Sequence, residues 1–274
     1  MNTLPLEKME EIQSIERNIY EIFEQAIARR PDVLQILLPE NNYAHCMLNL
    51  STITNASIDL AQIAWIVREN LQQAREYFSI PLSPDLEPNF GAVAKLVDEG
   101  LRGLRAWDGE KMSLMGQAEH LICYLLLNRT AEIAEEYAVF RQKELFIEYD
   151  LHSWRAIFAR HLILASQGCY EEIKIEDYAK SKMKKNDFLH EAHTALIALA
   201  QGDETKFAQE MAACCEAFKK RKKSRIIDMT WGYGVASHFC FDIVGTALYR
   251  LAVQRGLQFP MPEQRYYPVE FWRD

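Results

Sequence analysis

The chain reads as an all-α protein, an irregular stack of antiparallel helical hairpins that is partly tetratricopeptide-like. Three observations predict this. Apolar residues recur at steps of three and four through most of the 274 residues, the spacing that lines one face of a helix. The 11 glycines and 9 prolines fall below the usual shares of roughly 7% and 5%, so few turns interrupt the pattern. Period-two alternation between turn signals is absent, which leaves nothing from which to build an antiparallel sheet or a Rossmann unit.

Taken in order, the first helix comes from Leu6, Met9, Ile12, Ile15, Ile19, Ile22, Phe23 and Ile27, with an acidic opposite face and a basic end before Pro31. The next apolar pattern runs from Tyr43 through Ile63, Ile66 and Leu71 to Phe78 and suits one long helix or two. The stretch SIPLSPDLEPNFG, residues 79–91, places three prolines close together and reads as a loop and a possible subdomain boundary in what is otherwise a single helical domain. Further helices are expected over Phe90–Trp107, Met112–Leu127, Ala131–Phe146, Ser153–Gln167, Glu171–Met183, Phe188–Gln201, Thr205–Lys222 and Val235–Arg255. Two turns align 34 residues apart, ILASQGCYEEI at 163–173 and IALAQGDETKF at 197–207. Each puts a glycine, Gly168 or Gly202, where a left-handed residue ends one helix before the next, and the offset is that of tetratricopeptide-like pairs. No third copy keeps the spacing, so a regular solenoid is not expected.

Composition narrows the function classes. A formal charge of -8 disfavours nucleic acid and favours basic partners. The opening MNTLPLEKMEEIQ has no basic start followed by an apolar run, and no apolar run approaches the roughly 20 residues that span a bilayer. A cytoplasmic protein without a membrane partner is expected. Six cysteines, at 46, 123, 169, 214, 215 and 240, lack CxxC spacing and read as reduced core thiols, with no structural zinc.

The candidate sites are few. In DMTWGYGVASHFCFDIVGTALYRLAVQRG, residues 228–256, Val235, Phe239, Ile243, Ala247 and Leu251 form a stripe with Ala236, Cys240, Val244, Leu248 and Ala252 beside it, the pattern of a buried central helix entered through Gly232 and Gly234. WGYG lacks the spacing of a phosphate loop. On that helix His238 and Asp242 share a face, as a structural hydrogen bond or as a general-base dyad, whereas Cys240 is displaced by about 200° and cannot join them. His190 and His193 stand three apart, not in the HExxH spacing of zinc proteases, and nothing nominates a third ligand. Cys214 and Cys215 read as packing groups. The run KKRKKSR, residues 219–225, carries no interleaved aromatics and reads as a solvated helix end whose cations complement the helix dipole. No catalytic residue, metal or cofactor is therefore assigned. Two acidic stretches, Glu132, Glu135, Glu136, Glu144, Glu148 and Asp150, then Glu171, Glu172, Glu176 and Asp177, are the candidates for a partner surface. The residues singled out are Glu132, Glu135, Glu136, Glu171, Glu172, Glu176 and Asp177.

The ending GTALYRLAVQRGLQFPMPEQRYYP, residues 245–268, and the ALAQGDETKFAQEM pair, residues 198–211, resemble the closing helices and tail of the immunity protein 49 family of bacterial polymorphic toxin systems. The matched positions are Arg255, Gly256, Leu257, Tyr266, Tyr267 and Pro268. Physically they read as a glycine-capped helix end and an aromatic tail docking on the core. The resemblance implies a protein that binds a cognate toxin and blocks it, with no catalytic residue carried over; separately, the acidic surface would suit a basic toxin such as a nuclease. The rival readings are a tetratricopeptide-like adaptor for several protein partners and, behind it, an enzyme using the His238 and Asp242 pair or a metal at His190 and His193.

Overall fold

The computed structural model describes residues 6–32, 43–82, 121–129, 154–179, 189–223, 241–260, 263 and 266–271. They are predominantly helical and include no strand. The chain contacts divide into two compact units, Met1–Met112 with Ile227–Cys240, and Ser113–Ile226 with Phe241–Asp274. Among the described residues no helix is long and apolar enough to cross a membrane.

In the first unit, α1 (Leu6–Asp32) packs along α2 (Tyr43–Arg68). Ile19, Phe23 and Ala26 of α1 meet Ile53, Ala56, Leu60 and Ile63 of α2, with Ile15, Ile27 and Val67 at the margin. Ile22 departs from the expected face: it is 52% exposed, because the stripe steps from Ile19 to Phe23 and Ile22 lies one position off it. The Arg68 guanidinium pairs with Glu16 and ties the two helices together. The long apolar pattern from residue 43 resolves into two helices. Glu69 takes a left-handed conformation (φ 51), and the Asn70 side chain accepts from the Gln73 amide at 2.9 Å, starting α3 (Leu71–Ser79). The opening of the Pro-rich stretch is not a loose loop. Residues Ile80–Leu82 form a 3-10 turn with Pro81 and Leu82 buried, while 83–91 lie outside the described residues.

The second unit contains a helical segment at 121–126, then α4 (Trp154–Ser166), α5 (Glu176–Ala179), α6 (Leu189–Gln201), α7 (Glu204–Lys223) and α8 (Ile243–Arg255), with 3-10 turns at Tyr170–Glu172 and Val269–Phe271. The expected helices Phe90–Trp107 and Ala131–Phe146 lie outside the described residues. α6 and α7 pack along each other across the Gly202–Asp203 connection, and α8 packs on both. Residues Ile243–Tyr249, Leu251 and Ala252 of α8 are all buried, as an apolar circumference requires.

Four helices of this unit end in the same way. Asn128, Gly168, Gly202 and Gly256 have φ of 59, 74, 72 and 81°. In each case the next amide donates back five residues: Arg129 to Tyr124, Cys169 to Leu164, Asp203 to Ala198 and Leu257 to Ala252, at 2.9–3.1 Å. This is the Schellman arrangement, which satisfies carbonyls that a helix end leaves unpaired. The aligned turns at Gly168 and Gly202 are thus alike in backbone, but the chain leaves them differently. After Gly202 a long helix starts at once, whereas the expected helix Glu171–Met183 is replaced by a 3-10 turn, an extended Ile173 and a helix that begins only at Glu176. Ile173, at φ -89 and ψ 111°, is extended and buried, so no continuous helix runs through it.

Candidate partner-binding site

The glycine caps bring the acidic stretch 171–177 to one end of the second unit, where α4 and α6 terminate. From Gly168 the chain passes through buried Cys169 and turns at Tyr170–Glu172. Glu171, Lys174, Ile175 and Glu176 are exposed, and Glu172 is half-buried. Arg255, the last residue of α8, stacks its guanidinium 3.8 Å from the centre of the Tyr170 ring. The same side chain lies against Gly202, its Nη2 only 3.2 Å from where a β-carbon there would stand. Tyr170 and Gly202 therefore meet over one arginine, so Glu171 and Asp203, their chain neighbours, edge the same end. Burial raises the Tyr170 hydroxyl pKa, and Arg255 offsets part of that rise.

The polar residues at the end of α8 reach the termini of three other helices. Arg250 donates to the side chain of Asn128, Gln254 Nε2 donates to the Ser166 carbonyl at 3.4 Å, and Arg255 sits under the Gly202 cap. Helix C-termini carry partial negative charge, so cations placed there are favourable. The acidic residues added to this end are not all available to a partner. Asp203 accepts from the Lys206 amide at 2.9 Å, capping α7, and Glu204 accepts from the Gln258 amide at 2.8 Å. Asp177 turns inward: its Oδ2 lies 2.9 Å from Nε2 of His161, an imidazole with no exposed surface. Among the described residues of the predicted set, Glu171 and Glu176 are the exposed carboxylates, with Glu172 between them. Glu132, Glu135 and Glu136 lie outside the described residues. Sequence reasoning does not nominate Arg255 or His161 as partners of this segment, since both pairings join separate elements.

The other candidates resolve differently. The expected helix Val235–Arg255 begins only at Ile243, and Asp242 is its N-cap, its Oδ1 accepting from the Gly245 amide at 2.9 Å. The same-face argument for His238 and Asp242 therefore fails, because residue 242 precedes the helix; His238, Cys240 and the glycines at 232 and 234 lie outside the described residues. His193 is buried. Among the described residues no cluster of three or more His, Cys, Asp or Glu side chains could hold a metal ion. The four described cysteines, Cys123, Cys169, Cys214 and Cys215, are buried, and burial pushes the Cys215 thiol pKa up, so it stays protonated and packs as a small apolar group. In the basic run Lys220 is exposed, and Lys219 is partly covered by its surface partners. It pairs with Glu263 at 2.7 Å and Glu216 at 3.1 Å and stands 5.3 Å from the Tyr266 ring.

That clasp begins the docking of the C-terminal tail. Phe259 packs on Phe207 and Tyr249, Tyr266 on Phe218, Tyr267 on Tyr249 and Phe271 on Phe241, with ring centres 5.1–5.9 Å apart. The Asp242 amide donates to the Tyr266 carbonyl at 2.9 Å. The aromatic tail is thus part of the core, and Tyr267 and Pro268 are buried. In comparisons with known proteins the chain matches no family model, no curated protein and no solved structure.

Proposed function

We propose that the protein binds a cognate bacterial toxin in the cytoplasm and neutralises it, acting as an immunity protein without catalysis of its own. What supports this reading is the resemblance of residues 198–211 and 245–268 to the immunity protein 49 family, together with one feature of the fold. The observation that carries the surface assignment is the exposed carboxylates Glu171 and Glu176, held with Glu172 on a short segment beside the negative ends of capped helices. Such an end attracts a basic protein, steers its approach and fixes its orientation. The toxin face engaged would then be a cationic one, such as the substrate cleft of a nuclease.

The experiment is a tagged pull-down from the native cell, with mass spectrometry of the eluate and measurement of Kd for any stoichiometric partner. One tight partner that kills cells when expressed alone is the expected result. Several weak partners would favour a helical adaptor instead. With the partner in hand, the double variant Glu171→Lys and Glu176→Lys is expected to weaken Kd by about tenfold or more, a loss of at least ~1.4 kcal/mol, and to change its salt dependence while Tm stays put. Unchanged affinity would remove this segment from the interface.

A further inference from the structure

We draw no further inference here: the strongest candidate, the Arg255 guanidinium at the end of α8, stacked on Tyr170 and set against Gly202 with its Nη1 buried and without a hydrogen-bond partner among the described residues, carries nothing because the helix ends around it already supply the negative charge it needs and nothing in the structure shows what covers that nitrogen.

Discussion

Gly245 has no room for a side chain. A β-carbon there would lie 2.3 Å from the Tyr267 ring and 2.7 Å from the Asp242 carboxylate, and both neighbours are held, Tyr267 by burial and Asp242 by capping. Gly245→Ala is expected to destabilise the second unit by about 3 kcal/mol, the upper end for overpacking, read as a fall in Tm. A finer comparison separates backbone strain from contact. Gly168 and Gly202 share nearly the same left-handed φ, 74 and 72°, but a methyl at 168 meets nothing within 4 Å while one at 202 meets Arg255. Alanine at either position should cost about 1–2 kcal/mol for the backbone. Gly202→Ala should cost more than Gly168→Ala, because the Arg255 stack on Tyr170 must also shift. Equal losses in denaturant titrations would show that Arg255 yields freely. His161 adds a pH term at the same scale. With its folded pKa below the unfolded one, the stability it contributes is present above about pH 6.5 and is lost as the pH falls below it.

At the scale of elements, α8 organises the second unit. It begins at a buried N-cap and ends at a left-handed glycine, and its polar residues Arg250, Gln254 and Arg255 reach the ends of three neighbouring helices. Asp242→Ala removes the cap and leaves the Gly245 amide unpaired in a buried site. It is expected to cost about 2 kcal/mol. Asn70→Ala, at the exposed start of the much shorter α3, should cost about 1 kcal/mol. Thermal melts of the two variants test the order, and a larger loss for Asn70→Ala would contradict it. Both caps lie where periodicity is silent: apolar spacing continues through Glu69–Asn70 and through Phe241–Asp242, and only a capping side chain marks the break.

For the whole molecule, the net charge of -8 sets the sign of the partners it attracts and says nothing of how the chain folds. The fold of the second unit depends on its last residues. Tyr267, Val269 and Phe271 are at most 3% exposed, so the tail buries aromatic area comparable to that of a core helix. A chain ending at Leu257 is expected to lose cooperative unfolding of this unit and to become sensitive to proteolysis at α7 and α8. A truncated protein with unchanged circular dichroism and Tm would mean that the tail merely decorates a finished core.

The helical class, the left-handed glycines at 168 and 202, the packed cysteines and the docked tail were legible in the sequence, because helix faces, caps and aromatic burial are properties of neighbouring residues. Other outcomes were decided by the tertiary structure. Ile22 lies exposed, and the stretch after Gly168 breaks where the pattern ran on. Asp177, one of seven acidic residues with the same apparent role, turns to His161, and Arg255 leaves its helix end to stack on Tyr170. Residues 161 and 177, or 170 and 255, become neighbours only once separate helices have packed. A carboxylate's or guanidinium's choice between solvent and a partner is then settled by burial and distance, which one-dimensional spacing does not contain.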